Sequence, residues 1–198
     1  VNLTVGSTSG SPSQTITVPI NLSGTDAIGL SFDINYNSSV FNNPSVGLES
    51  SLSSLGKEIA TSQPESGVLR VLIYDSSNQA TIPEGQIASL SLSISSGSSG
   101  GSYSLSLSDL SAVNASGDEV SISGSGGTVE VNILSISIDL SASPSSGEAP
   151  LYGVDLTAGV SGDAADTFNY TFYCNRSDDG TNVTSGYDAK YEIGRAHV

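Results

Sequence analysis

Residues that could catalyse a reaction are scarce in this 198-residue chain, which contains one histidine and one cysteine. His197 lies within the last six residues, so a Ser-His-Asp or Cys-His arrangement has no base from the body of the fold. Cys174 shares one side of a predicted strand, 168–174, with three aromatic residues. We interpret it as a structural thiol or half-cystine and not as a nucleophile.

Carboxylates are the remaining catalytic candidates, because a glycosidase needs only two of them, roughly 5 to 10 Å apart. The sequence has 20 Asp and Glu residues but marks no pair as buried or polarised. It also lacks Trp, the usual platform for a sugar ring. We interpret the acids as solvated surface groups, and the sequence therefore predicts a protein that is not an enzyme.

One loop has the spacing of a calcium ligand set. Asn175, Ser177 and Asp179, followed by Gly180, occupy the first, third, fifth and sixth positions of a calcium-loop pattern. The pattern requires a bidentate acid at its twelfth position, where this chain has Gly186. The favoured interpretation is an Asx-turn hairpin, so we expect no cofactor and keep calcium at these three residues as the alternative.

Composition narrows the class of partner. Five Lys and Arg residues against 20 Asp and Glu give a net charge of −15, which makes nucleic acid and anionic membrane surfaces poor candidates. Only 13% of the residues are charged, and Ser, Thr, Asn and Gly supply most of the polarity, as is typical of exported β-proteins. No apolar run approaches the roughly 20 residues that span a bilayer. We expect an extracellular or cell-surface location, without membrane insertion of this segment.

The strongest structural signal is the stretch Ala27 to Asn37, in which large apolar residues alternate with small or polar ones. A period of two places the apolar side chains on one face of a β-strand. Residues 14–22 and 86–94 alternate in the same way, whereas 68–75 is apolar on both faces. Many short strands joined by Ser/Gly turns, without a helical period, predict an all-β sandwich.

The outward sides of two of these strands form a candidate binding face, which we expect to be exposed. Its residues are Asp33, Asn35 and Asn37 on the first strand, and Arg70, Leu72 and Tyr74 on the second. An apolar patch ringed by polar groups is what a protein interface requires. The alternative is that the 49–67 segment covers Leu72 and Tyr74.

Residues 1–132 resemble a cohesin domain, a jelly-roll β-sandwich that binds dockerins. Four passages carry the likeness: Gln14 to Gly24, Ile28 to Asn37, Val68 to Asn78 and Ile82 to Ile94. The resemblance implies that the strands with the six candidate residues form a flat dockerin-recognition face. The same superfamily includes carbohydrate-binding modules of cellulases, so polysaccharide binding is the alternative function.

The apolar alternation restarts near Asn132, which indicates a second domain over residues 133–192. Ser141 to Ala158 and Asn169 to Cys174 resemble a polycystic-kidney-disease-type (PKD) domain, an Ig-like spacer of surface proteins. The chain reads FYCNRSDDG where that family usually has a Trp-Asp-Phe-Gly-Asp-Gly centre. About sixty residues are too few for a sandwich of roughly 100, so we expect a partial Ig-like domain. In related domains a partner for Cys174 lies further along.

The last residues, Glu192 to Val198, read EIGRAHV and resemble the translation of a short-read sequencing adapter. We expect residues 193–198 to be a non-native tail on a fragment of a longer, metagenomic coding sequence. Such a tail would also account for the single histidine and the short second domain.

Together these features predict a non-catalytic extracellular or cell-surface module. Its cohesin-like domain would recognise a dockerin-like protein or hold a surface assembly together. The alternative is a carbohydrate-binding module of a polysaccharide-degrading system.

Overall fold

The computed structural model describes residues 1–24, 26–75, 80–143, 145–146 and 155–163. The chain divides into two units, Val1–Ile133 and Leu134–Val198, and each is described by itself. Calcium candidates Asn175, Ser177 and Asp179, the predicted strand 168–174 and the tail 193–198 lie outside the described residues.

The described elements are short strands and one helix. In chain order they are β1 (Asn2–Val5), β2 (Thr8–Gly10), β3 (Thr15–Ser23), β4 (Gly29–Asn35), β5 (Phe41–Leu48), α1 (Ser50–Ser54), β6 (Glu58–Glu65), β7 (Val68–Tyr74), β8 (Gly85–Ile94), β9 (Gly101–Val113), β10 (Ser123–Ser125), β11 (Gly127–Val131), β12 (Ile136–Ser143) and β13 (Asp155–Gly162). The all-β prediction is confirmed. The described residues include no helix with the length and apolarity needed to cross a bilayer.

The first unit is a sandwich of two sheets. One sheet has the order β10-β1-β3-β8-β5, and the other has the order β2-β11-β9-β4-β7-β6. The chain changes sheets between β1 and β2, where the backbone N–H of Gly6 donates to the carbonyl of Pro19 at 2.8 Å. Both of these N-terminal strands then pair in parallel with late strands, β1 with β10 and β2 with β11.

The core lies between the two sheets and follows the alternation of the sequence. On β3 the four expected inward residues, Ile16, Val18, Ile20 and Leu22, are all buried. On β4 the residues Leu30, Phe32 and Ile34 are buried, and they belong to the same apolar cluster. Burial of these side chains is the main favourable contribution to folding, at about 25 cal/mol per Å² of apolar surface.

Several sequence-based strand assignments change. Residues 58–65, which carry no alternation, form β6 as an edge strand beside β7. The sequence pattern also predicts a strand over residues 119–122, and this segment contains only an isolated bridge from Glu119 to Val113. Pro19 in β3 lacks a backbone N–H, which predicts an edge strand or a bulge at this position. Strand β3 is central in its sheet and not an edge strand. Its register with β8 shifts between Ile20 and Asn21, one residue after Pro19, so the irregularity lies beside the proline.

The described part of the second unit is an antiparallel pair of strands, β12 and β13, with eight residue pairs in register. Ile136, Ile138 and Leu140 alternate along β12, and all three are exposed. The sequence pattern predicts strands over 135–140 and near 154–158, and this pair agrees with that prediction.

Candidate recognition face

Four adjacent strands of the second sheet, in the order β9, β4, β7 and β6, present one outward surface, here called the four-strand face. Residues directly opposite each other in paired strands point to the same side of a sheet. Phe32 and Val71 are paired and buried, so their neighbours along each strand point outward. The outward residues are Ser106, Ser108, Asp109, Ser111 and Val113 on β9, Gly29, Ser31, Asp33 and Asn35 on β4, Val68, Arg70, Leu72 and Tyr74 on β7, and Glu58, Ala60, Ser62 and Glu65 on β6.

An ion-pair cluster occupies the centre of the four-strand face. Asp33 and Arg70 lie directly opposite each other. Nε and one terminal nitrogen of Arg70 donate to Oδ1 and Oδ2 of Asp33 at 2.8 and 2.7 Å, and the same terminal nitrogen donates to Oδ2 of Asp109 at 3.1 Å. The hydrogen bonds from Arg70 lower the pKa of Asp33 below its usual 3.8, although burial opposes the shift. Asp33 in turn raises the pKa of Arg70.

The expectation that Asp33 is open to a partner is wrong. The residue is only 3% exposed, because Arg70 binds both of its carboxylate oxygens and strands β7 and β9 flank it. The side chains of Arg70 and Asp109 are 46% and 69% exposed. These two are therefore the charged groups of the cluster that a partner can reach.

The exposed large apolar side chains of the four-strand face lie where β4 begins. Leu72 is opposite Ser31 and is 42% exposed, and Val113 is opposite Gly29 and is 36% exposed. Tyr74 is partly buried, and its hydrogen bond to Glu58 and the charge of that carboxylate raise the pKa of Tyr74.

The alternative in which the 49–67 segment covers Leu72 and Tyr74 does not hold for Leu72. That segment forms α1 and β6, and β6 pairs with the edge of β7, with Ala60 opposite Leu72 and Glu58 opposite Tyr74. The segment thus extends the sheet sideways and leaves Leu72 exposed.

The two asparagines have local structural roles. Nδ2 of Asn35 donates to Oγ of Ser108 at 3.0 Å and to the carbonyl of Ser106 at 3.4 Å, which ties β4 to β9. Asn37, expected on the same strand face, lies beyond the end of β4 at Asn35. Its Oδ1 accepts hydrogen bonds from the N–H and hydroxyl of Ser39 at 3.0 and 2.6 Å, so it closes a turn.

Asp109 was not among the residues predicted from the sequence. The register between β4 and β9 shifts between Ser31 and Asp33, and Asp109 is the extra residue, with a φ of +49°. A β-bulge of this kind redirects a side chain, and here it brings Asp109 to Arg70. The signal was present: along β9 the apolar positions change from odd numbers, ending at Leu107, to even numbers, starting at Leu110.

The outward surface of the first sheet is different in chemistry. Its residues on β3, β8 and β5 are Thr15, Thr17, Pro19, Asn21, Gln86, Ser89, Ser91, Ser93, Asn42, Ser45 and Gly47. This set contains no charged residue and no large apolar residue, and the carboxylate of Glu49 accepts hydrogen bonds from two of its members, Gln86 and Ser89. Of the residues that the structure describes in 1–133, the large apolar side chains that are exposed are Leu55, Leu72, Val113 and Ile133, two of them on the four-strand face. The ion-pair cluster and two exposed large apolar side chains therefore coincide on the four-strand face.

The described residues contain no group of three or more His, Cys, Asp or Glu side chains arranged to hold a metal ion. This statement does not reach the calcium candidates Asn175, Ser177 and Asp179, which lie outside the described ranges.

Comparison with known proteins gives a consistent assignment for the first unit. Residues 1–131 match the family described as "Cohesin domain". No curated protein sequence matches the chain.

Three solved structures illustrate the similarity of fold. The sixth cohesin of scaffoldin B from Acetivibrio cellulolyticus, in complex with a mutant Cel5 dockerin, is 22% identical with a TM-score of 0.58, over 66% of this chain and 98% of that one. The OlpA cohesin of Clostridium thermocellum, in complex with a dockerin, is 16% identical with a TM-score of 0.60, and the match covers 66% of this chain and 98% of that one. A non-cellulosomal cohesin from Archaeoglobus fulgidus is 18% identical with a TM-score of 0.55, and the match covers 67% of this chain and 91% of that one. At these identities the similarity establishes the fold.

Proposed function

The chain belongs to the cohesin family over residues 1–131, and we propose that this unit binds a dockerin-type protein through the four-strand face. The module is a protein-recognition module without a catalytic role. One observation carries the choice of face: Leu72 and Val113 are exposed beside the Arg70 cluster, whereas the outward residues of β3, β8 and β5 include no exposed large apolar side chain. The carboxylate of Glu49, which lies on that opposite side, is bound by Gln86 and Ser89.

The physical argument rests on what interfaces need. An interface centre needs apolar side chains that lose water on binding, surrounded by polar groups that fix the orientation of the partner. Leu72 supplies the first, and Arg70, Asp109 and Ser62 supply the second. Two of the similar structures are cohesins in complex with dockerins, which supports a dockerin as the class of partner.

Polysaccharide binding receives less support from the same surface. Sugar sites in β-sandwich modules rely on aromatic rings that stack on the sugar, and the chain has no Trp. Tyr74 is the one aromatic residue among the outward residues of the four-strand face, and it is partly buried. The extracellular or cell-surface location proposed for the protein rests on its exported-type composition and on its family.

The second unit is proposed to be the beginning of an Ig-like spacer of the PKD type. The support is the β12–β13 pair, whose Ile136, Ile138 and Leu140 side chains require a further layer to be buried. A crystal structure of the chain with a second sheet packed on these side chains would support the proposal, and one with them facing solvent would contradict it.

The main proposal is tested by measuring binding to a panel of recombinant dockerins by calorimetry, including the dockerins of the two complexes named above. A glycan array tests polysaccharide binding in parallel. Leu72→Asp should weaken dockerin binding by roughly 30-fold or more, as for a central interface residue of about 2 kcal/mol. The matched control is Thr17→Asp, the same introduced charge on the opposite sheet. Glycan binding without dockerin binding, or equal effects of the two variants, would overturn the proposal.

A further inference from the structure

Basic residues are almost absent from the first unit. Residues 1–133 contain eleven Asp and Glu residues and only two Lys and Arg residues, Lys57 and Arg70. Lys57 is buried against Asp75. Arg70 is thus the single exposed basic side chain in this part of the sequence, and it lies at the centre of the four-strand face.

An exposed Arg on a binding face would ordinarily suggest that the partner supplies a carboxylate. Here two carboxylates already bind Arg70, Asp33 through both oxygens and Asp109 through Oδ2. If Arg70 turned toward an anion on a partner, the buried carboxylate of Asp33 would lose its main counter-charge. Arg70 is therefore held in place, and two carboxylates already offset its charge.

Asp109 has the opposite properties. Its side chain is 69% exposed, and Arg70 engages its Oδ2, which leaves the other carboxylate oxygen directed away from that contact. The position of Asp109 is fixed on two sides, by the bulge in β9 and by the hydrogen bond from Asn35 to the adjacent Ser108. A carboxylate held in this way loses little freedom when a partner binds.

The charge balance of the cluster agrees with this view. Two carboxylates face one guanidinium, so the centre of the four-strand face is acidic although its most prominent side chain is basic. Glu58, opposite Tyr74 on β6, adds a third carboxylate, which lies on the other side of Leu72 from the cluster. The field of an acidic domain increases the association rate of basic surfaces.

From these observations, and resting on the proposed function, we infer that Asp109 is the specificity-determining residue of the four-strand face. It binds a Lys or Arg side chain of the dockerin, next to an apolar residue that covers Leu72. Arg70 acts as a positioning residue that orients Asp109 and remains paired with Asp33 in the complex.

The test uses the full chain and a dockerin that binds the wild-type protein in the panel. Asp109→Asn is the informative variant, because Asn tolerates the positive φ at this bulge and only the charge is removed. The matched control is Glu130→Gln on β11 of the same sheet. Glu130 pairs with Ser102, seven residues along β9 from Asp109, or roughly 23 Å at about 3.3 Å per residue.

The expected result is a loss of affinity of about tenfold for Asp109→Asn and less than threefold for Glu130→Gln. The wild-type affinity should fall when NaCl is raised from 50 to 500 mM, and the salt dependence should be smaller for Asp109→Asn. A dockerin variant in which the contacting Lys or Arg is changed to Glu should bind Asp109→Lys better than it binds the wild-type protein.

The outcomes separate this inference from the proposed function. Suppose that Leu72→Asp abolishes binding, whereas neither Asp109→Asn nor salt changes it. This result would overturn the role of Asp109 and leave the four-strand face as the binding site. Tighter binding by Asp109→Asn would overturn it as well, since it would mean that the partner brings an anion. If no dockerin of the panel binds the wild-type protein, both proposals fail. Circular dichroism of each variant verifies that the fold is retained.

Discussion

Nζ of Lys57 lies 3.3 Å from Oδ2 of Asp75, and both side chains are buried. The same ammonium donates to the backbone carbonyl of Ile28 at 2.9 Å. Lys57 follows α1, Asp75 directly follows β7, and Ile28 directly precedes β4. This contact therefore joins the segments at one end of the four-strand face, although none of the three residues belongs to the face.

Lys57→Met should destabilise the first unit strongly. Removal of one partner of a buried ion pair leaves an uncompensated charge in the interior, which typically costs 3–5 kcal/mol. We expect a loss of about this size in the free energy of unfolding, measured by urea denaturation. The double variant Lys57→Met/Asp75→Leu should recover much of it. Equal stabilities of wild type and Lys57→Met would contradict the structural role of the pair.

Adjacent residues of β7 should respond in opposite ways to truncation. Ile73 is fully buried and Leu72 is 42% exposed, so one side chain lies in the core and the other on the four-strand face. Ile73→Ala should lower the free energy of unfolding by about 2–5 kcal/mol, whereas Leu72→Ala should change it by less than about 1 kcal/mol. Urea denaturation measures the stability of each variant, and titration calorimetry measures its dockerin binding. The Leu72 variant should keep its stability and lose affinity for the dockerin.

Strands with strict alternation could be predicted from the sequence because burial of one face determines the pattern. Strands β3 and β4 are of this kind, and their buried apolar residues are those expected. Strand β6 could not be found this way. It is an edge strand in which only Ile59 is partly buried, so hydrogen bonding to β7 and not burial determines its conformation.

The candidate face was predicted in part for a related reason. Alternation correctly placed Arg70 and Leu72 on the outward side of β7. The burial of Asp33 depends on an Arg 37 residues away in sequence, and no local pattern reports such a pair. Asp109 was missed because period two assumes a regular strand, whereas the bulge in β9 interrupts the period at that residue.

The Asp33–Arg70 contact should make stability depend on pH in the acidic range. The pKa of Asp33 is lower in the folded protein than its usual 3.8, so this carboxylate stabilises the fold at pH values above about 4. The contribution is lost as the pH falls through the folded-state pKa. The wild-type protein should therefore be more stable than Asp33→Asn at pH 7, and the difference should shrink below about pH 4.

Chemical denaturation at a series of pH values between 7 and 2 measures this difference. Asp118→Asn, a change of the same kind at an exposed turn residue, is the control, and its stability should follow that of the wild type at every pH. A constant difference between wild type and Asp33→Asn across the range would show that the carboxylate contributes through shape and not through its charge.

Gly67 should be the least replaceable residue of the turn between β6 and β7. Its φ is +84°, a conformation that costs other residues energy, and a Cβ at this position would lie 2.7 Å from the backbone carbonyl oxygen of Tyr36. The carbonyl of Gly67 also accepts a hydrogen bond from the N–H of Tyr36 at 2.8 Å, just beyond the end of β4. Gly67→Ala should therefore lower the free energy of unfolding by about 1–3 kcal/mol and should disturb the pairing of β7 with β4.

The control is Gly47→Ala on β5, where a Cβ meets no atom within 4 Å, so the stability of this variant should be unchanged or slightly higher than that of the wild type. Urea denaturation compares the two variants, and equal stabilities would show that the turn can adjust its backbone without loss.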